Sequence, residues 1–296
     1  MFQGSLVALA TPMAQSGRID YTSLEQLVEW HVTSGTQALV VAGTTGESAT
    51  LQPVELVELV GKVLKMARGR IPVIAGSGTY GTEQTVRLTR RMGELGVDAC
   101  LIVTPYYNKP VQEGLYRHYE AVARAVSVPL ILYNVPSRTA CDLLPETVAR
   151  LSEYPHILGI KEATPGTDRL QALRKVCRPD FGYWSGDDPT ALEFIQSGGH
   201  GVISVTANVV PDLMSRWIRH ALAGEWQMAH TIDRQLAPLH EALFVESNPI
   251  PVKWALEAMG YIPGGIRLPL TRLGEWAQPK VRVALEQLNV RLVVRA

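Results

Sequence analysis

The 296-residue sequence lacks the features that would place it in several specialised classes of protein. Its 28 lysines and arginines balance 28 aspartates and glutamates, so the formal net charge is zero. A nucleic-acid binder relies on a surplus of cations facing phosphates, and this balance argues against such a partner. Hydrophobic residues make up 46% of the chain and charged residues 19%. These fractions are typical of globular proteins and argue against disordered or fibrous classes.

Cysteines and membrane-spanning runs are also scarce. Cys100, Cys141 and Cys177 form no CxxC pair, and an odd number does not suit a disulfide framework, so we expect a reducing, cytoplasmic location. The opening MFQGSLVALATPMA has no preceding Lys or Arg and is interrupted at Pro12, so it predicts a buried strand rather than a signal peptide. No uncharged apolar run approaches the roughly 20 residues that span a bilayer, so no membrane partner is expected.

Short apolar runs rich in β-formers alternate with longer segments of helical periodicity, which is typical of repeated βα units. The predicted strands are 6–10, 38–42, 72–75, 99–104, 129–133, 157–161, 183–185 and 201–205. Predicted helices include 23–34, 53–67, 82–95, 115–126 and 211–222, with Ser23 as a cap and Pro53, Pro145 and Pro211 in first turns. Eight units favour an α/β fold of the (β/α)8 TIM-barrel type over the alternative, a doubly wound open sheet.

The length alone leaves the number of domains open. About 150 residues per domain would suggest two, but single α/β barrels run to roughly 250 residues. We predict a catalytic barrel over residues 1–224 and a C-terminal helical extension over 225–296, with helical patterns at 225–244, 251–259 and 280–288. Since no Gly/Ser linker separates the two, the extension should pack on the barrel.

Lys161 is the polar residue to which we give most weight, because it ends the apolar run Ile157 to Ile160, where a lysine is costly to bury. Alternation along a strand puts Gly159 and Lys161 on one face and Leu158 and Ile160 on the other. If the bulky pair faces the outer helices, Lys161 points into the barrel mouth. A desolvated amine has a lowered pKa and suits Schiff-base chemistry with a carbonyl substrate. The alternative is a lysine that pairs with a nearby carboxylate.

Three further positions lie where predicted strands end, which is where barrel enzymes place their active sites. Tyr133 has the inward parity of its strand and neighbours the lysine strand, so its phenol could exchange protons near Lys161; a core tyrosine is the alternative. Thr44 and Thr45 lie in a Gly-Thr-Thr-Gly turn whose N–H groups and hydroxyls suit a carboxylate or phosphate, unless it is simply a flexible turn. Arg138 could bind a carboxylate or could be a solvated surface residue.

Other motifs are given less weight. Gly76 to Gly81 matches GxGxxG, but Asp98 precedes the next strand instead of ending it, so a glycine-rich turn is favoured over NAD binding. The seven histidines include no HxxxH or HExxH pair, so no metal is expected and a lysine-based aldolase is favoured over a metal-dependent one. Asp187 and Asp188 could bind Mg²⁺, but such a pair more often caps the helix that follows.

Several motifs together resemble those of the dihydrodipicolinate synthase family, also called 4-hydroxy-tetrahydrodipicolinate synthases. They are GTTGESATL (43–51), VTPYYNKP (103–110), ILYNVPSRT (131–139), GIKEAT (159–164), SGDD (185–188), GGHGVISVTAN (198–208) and NPIPVKWAL (248–256). The resemblance extends over nearly the whole chain. It implies a cofactor-free, pyruvate-dependent class I aldolase of lysine biosynthesis that joins pyruvate to L-aspartate 4-semialdehyde, followed by cyclisation.

The same resemblance implies a role for each of a set of residues. Lys161 would form the Schiff base, and Tyr133, Thr44 and Tyr107 would form a proton relay in which Tyr107 reaches across a subunit interface. Substrate binding would involve Thr45 for the pyruvate carboxylate, Arg138 for the second carboxylate, and the backbone carbonyls of Gly186 and Ile203. A homodimer is then the minimal unit, and family members are commonly dimers of dimers.

Two functions are alternatives to the synthase activity. N-acetylneuraminate lyase and keto-deoxy sugar acid aldolases use the same lysine and tyrosine but generally lack an arginine at position 138. A binding protein that lost catalysis would not be expected to keep the full set of site residues.

Lysine-inhibited members of the family use a histidine, an asparagine and a glutamate at an allosteric pocket, whereas this sequence has Pro53, Leu56, Tyr80 and Gln84 at the pocket positions that differ. We therefore predict weak or absent feedback inhibition by L-lysine.

Overall fold

A computed structural model describes residues 2–293 of the chain; Met1 and residues 294–296, which belong to the predicted barrel and extension, lie outside the described residues. Eight parallel strands close into a barrel in chain order, and β8 pairs with β1. The strands are β1 (Gly4–Ala8), β2 (Ala38–Val41), β3 (Val73–Gly76), β4 (Ala99–Val103), β5 (Leu130–Asn134), β6 (Ile157–Glu162), β7 (Gly182–Ser185) and β8 (Gly201–Ser204). The predicted (β/α)8 barrel is confirmed.

Helices follow the strands and surround the barrel. They are α1 (Tyr21–Thr33), α2 (Pro53–Ala67), α3 (Thr82–Leu95), α4 (Gln112–Ala125), α5 (Pro136–Thr139), α6 (Pro145–Ser152), α7 (Asp168–Val176), α8 (Ala191–Gln196) and α9 (Pro211–Leu222). Prolines occupy the first turns of α2, α6 and α9, as predicted, because an N–H there would lack an intrahelical partner. The cap assigned to Ser23 is wrong. The Asp20 carboxylate caps α1 by accepting from the N–H groups of Thr22 and Ser23.

Two apolar layers form because side chains alternate across each strand. One layer lies between the barrel and its helices. The other fills the barrel itself, and its buried members include Leu6, Val40, Ile131, Trp184 and Ile203. The inner layer makes the barrel a packed core, so a substrate-sized cavity can form only above it, at the strand ends.

A register shift in β6 corrects one prediction about the lysine strand. Leu130 pairs with Ile157, and the next residue, Ile131, pairs with Gly159, so Leu158 is an extra residue in the ladder. Leu158 packs against the inner layer and therefore does not share the outer face with Ile160. Beyond the shift, pairing is regular, and Lys161 stands opposite Tyr133, whose side chain belongs to the inner layer.

The C-terminal region is helical, as predicted. It contains α10 (Trp226–Ala242), α11 (Ile250–Ala258) and α12 (Gln278–Gln287). Helix α10 packs on α8 and α9, and α12 packs on α10 and α11. The boundary between residues 224 and 225 stays a prediction. Within residues 2–293, no helix combines the length and apolar character needed to cross a membrane.

Candidate active site

Six of the eight predicted site residues line one cavity of about 390 Å³ at the carboxyl ends of the strands. They are Thr44, Thr45, Tyr133, Arg138, Lys161 and Gly186. The cavity lies where loops from several strands converge, above the packed inner layer. This arrangement brings together a lysine, a phenol, two hydroxyls and a guanidinium from three segments of the chain: the loop after β2, β5 with the short helix α5, and β6.

Lys161 is buried in this cavity, with only 6% of its surface exposed. Burial lowers the pKa of its amine to about 8, and the Arg138 charge adds to this, whereas the negative charge of Asp188 opposes it. The side chain needs the neighbouring glycine, since a Cβ on Gly186 would lie 3.0 Å from Lys161 Cε and 2.8 Å from Ala163 Cβ. An amine with this pKa has a much larger neutral fraction near physiological pH than an ordinary lysine, and its neutral form can act as a nucleophile.

Tyr133 lies beside the amine, with Lys161 Nζ 4.4 Å from the centroid of its ring. Burial raises the pKa of the phenol, while the Arg138 charge and a hydrogen bond with the Thr44 side chain act against that rise. The phenol therefore stays protonated and linked to a second hydroxyl. A hydroxyl pair next to a nucleophilic amine can pass protons to and from a bound carbonyl compound.

Asn248, between α10 and α11, joins two predicted binding residues. Its Nδ2 donates to Thr45 Oγ1 at 3.0 Å, and its main-chain oxygen accepts from Arg138 Nη2 at 3.3 Å. Sequence reasoning placed Asn248 in a family motif but gave it no role. The 203 residues that separate it from Thr45 leave no periodic pattern that could have indicated the contact.

A buried ion pair supports the loop after β2. Lys253 Nζ on α11 pairs with Glu47, which lies two residues after Thr45, and both side chains are almost fully buried. The other Glu47 oxygen accepts from the Arg267 N–H at 3.1 Å. The C-terminal helices therefore hold the Gly-Thr-Thr-Gly turn in place. Both residues lie in family motifs, but neither motif indicates that these two side chains pair across 206 positions of the sequence.

The expectation that Asp187 and Asp188 cap the next helix is wrong. Asp188 Oδ2 accepts from the N–H groups of Val205 and Thr206, both at 2.9 Å, and so fastens the β7 loop to the end of β8. Asp187 Oδ2 accepts from the hydroxyl of Thr190, which is the N-cap residue of α8 and has no side-chain cap bond. Within residues 2–293, no three His, Cys, Asp or Glu residues group together in a way that could hold a metal ion.

Two glycines of the GxGxxG match, Gly76 and Gly78, occupy positions where a larger residue would clash with neighbouring backbone. A Cβ on Gly76 would lie 2.1 Å from the Ala42 oxygen, and one on Gly78 would lie 2.5 Å from the Val103 nitrogen. Both positions require glycine because the residue after β2 lies against Gly76 at the end of β3, and the end of β4 lies against Gly78 in the turn that follows. This close packing accounts for the motif without a bound nucleotide.

Tyr107 and Ile203 are the two predicted site residues that do not line the cavity. Tyr107 is 93% exposed and has a left-handed backbone with φ of 75°. Ile203 is buried in the inner layer on β8, where its Cα partner is Leu6. The resemblance implies a backbone carbonyl contact for Ile203 and a contact across a subunit interface for Tyr107, and both roles stay predictions.

A second cavity of about 570 Å³ lies beside the first and shares Thr44, Arg138 and Asn248 with it. Its lining includes all four residues that depart from the lysine-inhibited pattern: Pro53, Leu56, Tyr80 and Gln84. The structure therefore brings these substitutions together in one space.

Known proteins of one family resemble this chain over almost its whole length. A family model described as the dihydrodipicolinate synthetase family matches residues 1–288. A protein of Methylococcus capsulatus named 4-hydroxy-tetrahydrodipicolinate synthase is 58% identical over 98% of this chain and 100% of its own. The protein of the same name from Alcanivorax borkumensis is 56% identical over 98% of this chain and 99% of its own. The crystal structure of the chloride-inhibited dihydrodipicolinate synthase from Acinetobacter baumannii, complexed with pyruvate, superposes with a TM-score of 0.97 at 49% identity, covering 98% of this chain and 100% of that one. The chain belongs to the dihydrodipicolinate synthetase family.

Proposed function

We propose that the chain condenses pyruvate with L-aspartate 4-semialdehyde to give 4-hydroxy-tetrahydrodipicolinate, in the diaminopimelate route of lysine biosynthesis in the cytoplasm. The observation that carries the proposal is the buried Lys161 amine beside Tyr133, in a cavity that also holds Arg138. Relatives named for this reaction match the chain almost end to end, and one solved relative is complexed with pyruvate.

The reaction begins when the neutral Lys161 amine attacks the keto carbon of pyruvate and water leaves, giving an iminium ion. Loss of a proton from the pyruvate methyl group gives an enamine, whose carbon forms a bond to the aldehyde carbon of the second substrate while the aldehyde oxygen gains a proton. The substrate's own ammonium group then loses a proton, and the resulting amine attacks the former keto carbon and closes the ring, while the displaced Lys161 nitrogen leaves with a proton gained in exchange. One water is released overall, and no oxidant or cofactor is required.

The residues around Lys161 transfer protons or bind the carboxylates of the substrates. Tyr133, hydrogen-bonded to Thr44, transfers protons during formation of the iminium ion and the enamine. Thr45, held by Asn248, binds the pyruvate carboxylate, and Arg138 binds the carboxylate of the aldehyde substrate. The resemblance assigns further substrate contacts to the backbone carbonyls of Gly186, which lines the cavity, and of Ile203, which lies below it in the inner layer.

The proposed relay needs a second copy of the chain, because Tyr107 is exposed and does not line the cavity of its own subunit. We infer a homodimer as the minimal unit and a dimer of dimers as the full assembly, which sedimentation would measure. Mixing inactive Tyr107→Phe and Lys161→Ala chains should restore activity, because one site of the mixed dimer then has both residues intact. Absence of restored activity after subunit exchange would contradict the shared site.

Borohydride trapping tests the chemistry. Pyruvate and borohydride should add one reduced pyruvate to the chain, the Lys161→Ala variant should acquire none, and Lys175→Ala, at an exposed lysine, should behave as the parent. A coupled assay should then show turnover with aspartate semialdehyde in preference to N-acetylmannosamine or a sugar-acid aldehyde. Trapping in the Lys161→Ala variant, or preference for another aldehyde, would overturn the proposal. A binding protein without catalytic function would give no turnover with any aldehyde.

A further inference from the structure

The second substrate carries two opposite charges close to its reacting aldehyde. One methylene separates the aldehyde of L-aspartate 4-semialdehyde from a carbon that bears both a carboxylate and an ammonium group. Arg138 supplies a cation for the carboxylate. The ammonium enters a cavity that already contains Lys161 and Arg138, and an unpaired cation there would be costly to desolvate. The site therefore needs an anionic partner for this ammonium.

Asp187 has the required chemistry. Among the described residues that line the cavity, it carries the one carboxylate; the others are apolar, hydroxyl, amide or cationic. It directly follows Gly186, the residue that packs against the Lys161 side chain. Asp188 does not line this cavity, and its carboxylate is engaged by the N–H groups of Val205 and Thr206.

The Asp187 carboxylate is held in place while one of its oxygens stays open. Thr190 Oγ1 donates to Oδ2 at 2.7 Å, and Oδ1 has no hydrogen-bond partner among residues 2–293. The main chain of Asp187 is fixed as well, because its N–H donates to Ser185 Oγ at 3.1 Å and its carbonyl accepts from the same hydroxyl at 2.8 Å. A half-buried carboxylate prepared in this way loses little freedom when it accepts a ligand.

We propose that Asp187 Oδ1 binds the α-ammonium of the aldehyde substrate and thereby selects an amino-aldehyde over one that lacks the amine. This inference rests on the proposed function. It makes Asp187 a specificity-determining residue: Arg138 recognises the carboxylate, Asp187 recognises the ammonium, and the two contacts orient the aldehyde toward the enamine. Pyruvate carries no ammonium, so its binding does not depend on Asp187.

The Asp187→Asn variant tests this selectively, because it keeps an oxygen for Thr190 and removes the charge. The loss of a charged hydrogen bond should raise the KM for aspartate semialdehyde about ten- to hundredfold. The KM for pyruvate and the borohydride-trapped pyruvate adduct should stay within about twofold of the parent. Asp187→Glu, which keeps the carboxylate, should recover part of the loss. Asp212→Asn is the matched control, since its carboxylate is 68% exposed on α9 and pairs with Arg216; its constants should be those of the parent.

Succinic semialdehyde lacks the ammonium group and serves as the comparison ligand. Its inhibition constant against aspartate semialdehyde should differ by no more than about twofold between the parent and Asp187→Asn. The inference is overturned if the KM for aspartate semialdehyde is unchanged in Asp187→Asn, or if that KM rises as much in Asp187→Glu as in Asp187→Asn. It is also overturned if Asp187→Asn weakens the binding of succinic semialdehyde as much as that of aspartate semialdehyde. Failure of the parent to trap pyruvate would instead overturn the proposed function and this inference with it.

Discussion

Tyr133 and Lys161 are Cα partners on neighbouring strands, and Lys161 Nζ lies 4.4 Å from the centroid of the tyrosine ring. The next pair along the same two strands, Asn134 and Glu162, is joined by a side-chain hydrogen bond in which Asn134 Nδ2 donates to Glu162 Oε2 at 3.1 Å. This bond stabilises the pairing of β5 with β6 next to Tyr133 and Lys161. The amine and the phenol are thus placed by the barrel sheet and not by a mobile loop. Such preorganisation allows proton transfer without a search for the reactive geometry.

Replacing Tyr133 by phenylalanine removes the hydroxyl that bonds to Thr44 and keeps the ring against Lys161. We expect kcat to fall about 10²- to 10⁴-fold, the usual range for loss of a general acid or base, with little change in thermal stability. Tyr154→Phe is the control, because its phenol bonds to Glu120 outside the cavity. A kcat within about tenfold of the parent in Tyr133→Phe would contradict a proton-transfer role.

The pH dependence of adduct formation follows from the Lys161 pKa of about 8, which burial lowers. Below that pH the amine is mostly an ammonium ion without a free lone pair. The initial rate of borohydride-trapped adduct should therefore fall about tenfold per pH unit below 8 and level off above it.

Asp188→Asn should move this profile to lower pH. The Asp188 charge raises the pKa of Lys161, so its removal lets the pKa fall further. The asparagine oxygen can still accept from Val205 and Thr206, which preserves the loop. The measurement is the trapping rate across the pH range, and a profile that stays in place or moves upward would argue against this charge effect.

Asn248→Ala should act on pyruvate binding, because it removes the donor to Thr45 and keeps the main-chain oxygen that Arg138 contacts. We expect the KM for pyruvate to rise about two- to tenfold, which corresponds to one neutral hydrogen bond, with a smaller change in kcat. Asn248→Asp should cost more, since it adds a negative charge near the pyruvate carboxylate. Equal pyruvate KM values in parent and both variants would show that Asn248 does not position Thr45.

Lys253→Met should destabilise the protein strongly because it leaves Glu47 buried without its cation. Breaking a buried pair in this way costs about 3–5 kcal/mol in the free energy of unfolding. The double variant Lys253→Met, Glu47→Gln should recover part of that loss, since no unpaired charge remains. Chemical denaturation measures both. Arg117→Met, which breaks an exposed pair with Glu113 on α4, should leave stability unchanged. Equal stability of Lys253→Met and the parent would contradict the buried-pair account.

L-Lysine should inhibit the enzyme weakly or not at all. In the second cavity, Leu56 cannot hydrogen-bond, Tyr80 is bulkier than asparagine, and Gln84 lacks a charge for the ligand's ammonium groups. Gln84→Glu supplies that charge and should increase sensitivity to lysine. Steady-state rates at rising lysine concentration compare the parent with Gln84→Glu. Strong inhibition of the parent below about 1 mM lysine would refute the prediction, because tight binding of lysine needs carboxylates that pair with its ammonium groups.

The barrel and the centre of the site were within reach of sequence reasoning. Alternating apolar runs and helical periods predicted eight βα units, because both periods follow from backbone geometry within a few residues. Parity along two strands placed Lys161 and Tyr133 inward, and a lysine at the end of an apolar run stood out by its desolvation cost alone. The roles of Tyr107, Gly186 and Ile203 came only from the family resemblance and stay predictions.

Other features depended on how distant segments pack. The extra residue in β6 arises from pairing with β5 and not from the sequence of β6 alone. The Asp188 carboxylate serves Val205 and Thr206 because β8 closes beside it, whereas local spacing predicted a helix cap. Contacts such as Asn248 with Thr45, and Lys253 with Glu47, join residues more than 200 positions apart. Sequence periodicity is local, so the sequence by itself determined the barrel and its inward lysine, while only the tertiary packing decided which residues hold that lysine's neighbours in place.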